Sequence, residues 1–334
     1  TLINKNIIMD QQNENIEFKS TREYLDHWDE FFVDWKKNPK ATFDEDKIWS
    51  KHNLSPPKVK EGKELECDVF PQPYLGNIEN HSVITLNLNP SRSKYGNENF
   101  KEPDLKPNYK YEKYAEEFPT YDTHQFWKDQ KGWIDRIFKF LEEEKPSEKE
   151  IKPFAIEICP WASKSWLGLE IKKETKKLKK RELRISVLDI PTEDFFKYLD
   201  NYVFNIIEKV NKKNLFPSKI KIVLSIGKAY YDIFNCNSDF EKLSEFTKSK
   251  KTNNEVFAET NPHDENFISK IKENWPLNTN NVLTNRSFSF WKRNNTIYYN
   301  VFPPNGGKNN PPSEKDFSEI EKEFFRIYKS LITK

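Results

Sequence analysis

Three short apolar runs in this chain, residues 83–88, 154–158 and 296–301, end in groups that can handle a small polar ligand. The first carries Asn87 and delivers Asn89, Pro90 and Ser91. The second carries Glu157 and delivers Cys159, Pro160 and Trp161, and the third delivers Phe302, Pro303, Pro304 and Asn305. An uncharged amide can hold a water molecule in place, while a carboxyl group can accept hydrogen bonds or, when kept neutral, give up a proton. Spacing alone also allows plainer roles: Asn89 as a turn cap before Pro90, and Glu157 as the partner of a nearby Lys or Arg.

The elements that must position these groups follow from periodicity. Runs 83–88, 154–158 and 220–226 are continuously apolar rather than alternating, which predicts strands buried on both faces. Helical stretches at 125–144 and 192–209 lie between them, so strands alternate with helices as in a parallel sheet covered on both sides. In such a sheet ligands bind outside the carboxyl ends of the strands, where the polar groups above sit. Residues 287–301 read as two strand-like runs around Arg293, Asn294 and Asn295, the second able to close the sheet. Ahead of the sheet, Tyr24, Trp28, Phe31, Phe32 and Trp35 recur at helical spacing until Pro39, a stripe expected to pack in the core rather than line a ligand site.

A last helix is expected over 314–332, and the weakly patterned stretch 240–267 reads as an insertion or mobile loop. The expected class is α/β, a three-layer sandwich with a central four-stranded parallel sheet flanked by helices, plus N-terminal helices. Residues 1–66 form a helical extension packed on the core, and 67–334 the α/β domain.

Composition excludes several chemistries. The 334 residues hold eight glycines, none spaced as G-x-G-x-x-G or G-x-x-x-x-G-K-[ST], so nucleotide cofactors held by those loops are not expected. Cys67, Cys159 and Cys236 stand far apart, without C-x-x-C or H-E-x-x-H, and predict reduced thiols with no metal and no cofactor. No apolar run is long enough for a membrane helix, and the start lacks a signal-peptide pattern, so a cytoplasmic protein with no membrane partner is expected. The single methionine, Met9, follows TLINKNII, read as vector-derived or as reflecting a different start codon. The 26 Phe, 14 Tyr and 9 Trp supply a core of few, large pieces.

PQPYLGNI, VITLNLNPS, FAIEICPW, IVLSIGKA and YYNVFPPNGG follow one another over about residues 71–310. In order and rough spacing the chain resembles the uracil-DNA glycosylase superfamily, nearest to the single-strand-selective monofunctional type and its bacterial relatives. The resemblance implies DNA bound along the carboxyl edge of the sheet by a monomer, with one nucleotide flipped into a pocket and its base excised. It puts Asn89 where the family's G-M-N-P asparagine orients the attacking water, and Ser91 beside the base; Asn87, two residues before Asn89 and on the same strand face, has no counterpart in the family and is expected at the base from its position. Phe100 stacks on that base or is an ordinary core aromatic. Cys159 and Trp161 line the pocket, and Arg92, Asn305, Gly306, Gly307 and Lys308 face the DNA, the glycine pair allowing close backbone approach. Nothing bulky follows Asn89 before Tyr95, which predicts a pocket open toward pyrimidine C5.

Two departures refine the expectation. Glu157 stands where the family's N-x-C-P asparagine reads uracil. An ionised carboxylate repels uracil O4 and suits the amino group of cytosine, whereas a carboxyl kept neutral by burial can help protonate a departing cytosine. Phe302 replaces the histidine of the family's H-P-S, and none of the five histidines lies nearby, leaving Asn305 or Lys308 to stabilise the leaving base, or no catalysis at all.

Residues 170–184 hold eight basic and three acidic side chains, among them Lys176, Lys177 and Lys180, a run fit to meet phosphates or simply a solvated Lys-rich helix. The expected function is a monofunctional glycosylase excising a 5-substituted cytosine, sugar-bearing ones of phage DNA included, with an antiviral defence role. A uracil repair glycosylase and a catalytically silent DNA binder are the alternatives.

Overall fold

Continuous apolar runs need cover on both faces, and the computed structural model shows how they obtain it. It describes residues 17–38, 71–78, 83–88, 110–117, 125–141, 153–160, 169–173, 181–185, 192–210, 221–248, 256–260 and 287–302. Strands β1 (Tyr74–Leu75), β2 (Val83–Asn87), β3 (Pro153–Glu157), β6 (Lys221–Ile226), β7 (Glu241–Lys248), β8 (Val256–Thr260), β9 (Ser287–Arg293) and β10 (Thr296–Phe302) form one eight-stranded mixed sheet in the order β1-β3-β2-β6-β10-β9-β7-β8. Pairings β3–β2, β2–β6 and β6–β10 are parallel, and the remainder antiparallel. β4 (Leu169–Lys173) and β5 (Arg181–Ile185) make a separate antiparallel pair.

The sheet therefore differs from the expected four parallel strands. The stretch read as an insertion or loop supplies β7 and β8 at the sheet margin. Only Leu243 and Phe246 are apolar in β7, so its own pattern is weak; pairing with β9 on one side and β8 on the other makes it a strand. The lysine-rich run also departs from a helix. Leu169 and Ile171 alternate with charges, as do Leu183 and Ile185, and the register sets Glu170 opposite Arg184 and Lys172 opposite Glu182. The expected helix over 314–332 lies outside the described residues.

Adjacent residues of a strand point to opposite faces, and β10 shows what each face meets. Tyr299 meets Trp133 of α3 (Gln125–Leu141), with ring centroids 5.0 Å apart. Tyr298 meets Phe234 of α6 (Lys228–Cys236) at 5.3 Å and Phe204 at 5.9 Å. Helices thus cover both faces. The aromatic stripe of α1 (Thr21–Lys37) is buried at Tyr24, Trp28, Phe32 and Trp35, as expected. Tyr24 packs on Tyr74 and Trp28 on Tyr202, while α2 (Tyr111–Glu117) adds Tyr111 against Tyr74. Ser20 caps α1 by accepting from the Glu23 amide, and the helix stops before Pro39.

Where one helix was expected over 192–209, α4 (Thr192–Leu199) runs into a widened π turn at Asp200–Phe204 and then α5 (Asn205–Lys209). In a π turn residues five apart stack, so Asp200 and Asn205 share a side that an α-helix would separate. Both reach the buried Arg293, at 3.1 and 3.4 Å, and Glu208 joins them at 2.7 Å. The guanidinium also lies over the rings of Phe204 and Phe240. The β9–β10 hairpin turns at Asn294, whose φ of 52° lies in the left-handed region that asparagine tolerates.

Candidate functional site

β2 and β3 run side by side, so their carboxyl ends put Asn87 directly opposite Glu157. Hydrogen bonding continues past both strands: the Ile158 amide donates to Asn87 O and the Cys159 amide to Leu88 O, each at 2.9 Å. From the other side the PQPYLG segment closes on β3. Glu157 N–H donates to Pro73 O at 2.9 Å and Gln72 N–H to Pro160 O at 2.8 Å. The backbone of Glu157 is thereby fixed between two neighbours.

Glu157 is only 5% exposed. Oε1 accepts a 2.9 Å hydrogen bond from Asn87 Nδ2, and Oε2 has no partner among the described residues. The expected alternative, a structural ion pair with Lys or Arg, is not found among those residues. Desolvation pushes the carboxyl up to about 8, against a weaker downward pull from the Asn87 amide. At neutral pH Glu157 is accordingly a neutral acid. A neutral carboxyl offers one donor and one acceptor. The buried Tyr230 phenol is pushed up by desolvation and by its proximity to Glu157.

Of the residues expected at the site, the structure brings together Asn87 and Glu157 and puts a buried Cys159 just beyond them. Asn89, Ser91, Arg92, Phe100, Trp161, Lys176, Lys177, Lys180, Asn305, Gly306, Gly307 and Lys308 lie outside the described residues.

Sequence reasoning missed a second polar pair, which the pairing of Leu86 with Ser225 sets on the opposite face of the sheet from Asn87 and Glu157. Ser225 and Asn300 oppose each other on β6 and β10, fully buried, with Ser225 Oγ donating to Asn300 Oδ1 at 3.0 Å. A serine inside IVLSIG and an asparagine inside YYNVF, each polar in an apolar run, were the available signal. Tyr230 was also missed. It follows Gly227, whose φ of 142° lets the chain leave β6 and enter α6 at the carboxyl edge, with Gly227 N–H on Val301 O at 2.8 Å. Phe302, in the position expected of a histidine, packs on Tyr231 at 4.9 Å.

Among the described residues no group of three or more His, Cys, Asp or Glu side chains could hold a metal ion, and no helix is long and apolar enough to cross a membrane. Comparison with protein-family models, with curated proteins and with solved structures returned no match.

Proposed function

We propose that the protein is a monofunctional DNA glycosylase that flips out a 5-substituted cytosine, sugar-bearing forms included, and hydrolyses its N-glycosidic bond. The observation that carries the reading is a neutral, buried Glu157 at the carboxyl end of a parallel strand, with one oxygen held by Asn87 and the other unpartnered among the described residues. The order of the five sequence motifs supports it. On this reading β3, β2, β6 and β10 are the four-stranded parallel core of a three-layer glycosylase sandwich, and the antiparallel strands are additions to its margin. The protein acts as a cytoplasmic monomer on DNA, and the choice of base makes phage DNA its target in antiviral defence.

The neutral acid supplies what the missing histidine does not. Cytosine N3 has a lone pair, so Glu157 can pass its Oε2 proton to N3 as the bond from the base nitrogen to C1′ breaks, and the base leaves neutral. Water, oriented by Asn89 on the family resemblance, adds its hydroxyl to the oxocarbenium-like C1′. Its other proton returns to the Glu157 carboxylate, and an abasic site remains. Oε1, which already accepts from Asn87, has a second lone pair that can accept from the exocyclic amino group.

A neutral carboxyl also weakens one argument against uracil, because repulsion from O4 belongs to the ionised form. Its O–H and C=O match uracil's O4 and N3–H as an amide would. Cytosine is favoured because uracil N3 bears a hydrogen and cannot take the proton. Incubating oligonucleotides that carry cytosine, 5-hydroxymethylcytosine, its glucosylated form or uracil, then cleaving abasic sites with alkali, tests the reading. Nicking confined to 5-substituted cytosine is expected. Nicking confined to uracil would support repair, and no nicking on any substrate would leave a DNA binder.

A further inference from the structure

We propose that Asn87 is the positioning residue of this site: by donating its amide N–H to Oε1 it confines the proton of Glu157 to Oε2, the oxygen left for the flipped base. The inference rests on the glycosylase reading for its purpose, but not for its geometry. Asn87 and Glu157 are register partners on adjacent parallel strands, 2.9 Å apart through Nδ2 and Oε1, in a site where Glu157 is almost wholly buried. The backbone of Glu157 is fixed on the β1 side by Pro73 O, and Asn87 O is tied to the Ile158 amide, so neither residue can drift from the other.

A carboxylic acid without such a contact can carry its proton on either oxygen, and half of those arrangements present the base with the wrong group. One fixed donor on Oε1 biases the choice, because the carbonyl oxygen of a carboxylic acid is a better acceptor than its hydroxyl oxygen. The contact has a second consequence. A donor on Oε1 favours the ionised form, so it opposes desolvation and keeps the acid able to release its proton during the reaction. The groups facing Glu157 among the described residues are the neutral amide of Asn87 on β2, the backbone of β1 and, from α6, the buried phenol of Tyr230. No described cation shares this role.

The sign of one shift tests the assignment. In the full chain with 13C-labelled glutamate, Asn87→Leu, which removes the donor at similar size, is expected to move the Glu157 titration midpoint up by about one pH unit or more. An amide turned the other way would accept the carboxyl proton on Oδ1, and the same substitution would then move the midpoint down. A downward or absent shift overturns the proposal. Asn87→Ser, which keeps a short donor, should return the midpoint part of the way.

The wild-type protein offers a test independent of any variant. The side-chain amide resonances of Asn87 should titrate with the Glu157 carboxyl, at the same midpoint, and an amide indifferent to that titration overturns the assignment. If base release occurs, the alkaline limb of its pH profile should move with the midpoint in Asn87→Leu, at a lower rate. Coupled titration without base release from any DNA would sink the glycosylase reading and leave the pair standing. Base release without coupled titration would do the reverse.

Discussion

Glu157 carries a stability signature that needs no substrate. Its carboxyl sits near 4.5 when free and at about 8 in the folded protein. Between those values the folded state keeps a proton that the unfolded chain has released, so stability falls as pH rises through that window and is unaffected by this group below it. Each pH unit crossed is worth roughly 1.4 kcal/mol for a fully coupled group. Glu157→Gln mimics the neutral acid and removes this slope. Urea unfolding at several pH values should therefore find the variant and wild type alike near pH 4, and the variant more stable by a few kcal/mol at pH 8. Parallel curves would show that Glu157 is not held neutral. The sequence made Asn87 and Glu157 legible as polar residues closing apolar runs, because strand ends are encoded locally. It could not reveal the protonation state, which is set by desolvation from residues distant in the chain and by the register of two strands. The same limit hid Ser225 and Asn300, whose contact exists only once β6 and β10 are paired.

Elements with strong internal patterns were legible to within a few residues. The aromatic stripe of α1 and the continuous runs of β2, β3 and β6 announce themselves through period and burial. β7 was not legible: its charged residues satisfy no strand pattern, and pairing with β9 and β8 on its two sides decides its conformation. The π turn between α4 and α5 has no local signal either, since its advantage lies in gathering Asp200, Asn205 and Glu208 around Arg293 from β9. This predicts that Arg293 holds the widened turn in place. Arg293→Ala leaves partly buried carboxylates without their cation and should cost about 3–5 kcal/mol, read from the urea midpoint. Arg293→Lys should recover only part of the loss, because an ammonium cannot span the same acceptors as the planar fork. A loss below about 1 kcal/mol in Arg293→Ala would contradict this role.

Over the whole molecule, 55 basic and 53 acidic side chains leave little net charge, so the DNA binding proposed above requires uneven placement of charge. The register of β4 and β5 sets two of the basic residues in 170–184 opposite acids, Arg184 opposite Glu170 and Lys172 opposite Glu182, and pairs Lys173 with Arg181. The excess of lysine in that segment thus falls between the two strands, at Lys176, Lys177, Lys179 and Lys180. If Lys176, Lys177 and Lys180 each neutralise a phosphate, replacing all three by Gln should flatten the dependence of log affinity on log salt by about 2–3. An unchanged slope would remove the segment from the DNA interface.

The central claim is that a neutral Glu157 gives its proton to a departing cytosine. Its most direct measurement is the release of free base, followed by mass spectrometry, from DNA bearing 5-substituted cytosine under single-turnover conditions at neutral pH. Wild type is expected to liberate the intact modified base and leave an abasic sugar, with Glu157→Gln slower by about 10²–10⁴-fold while still folded and still binding the DNA. No release by the wild type, or equal rates in the two proteins, would contradict it.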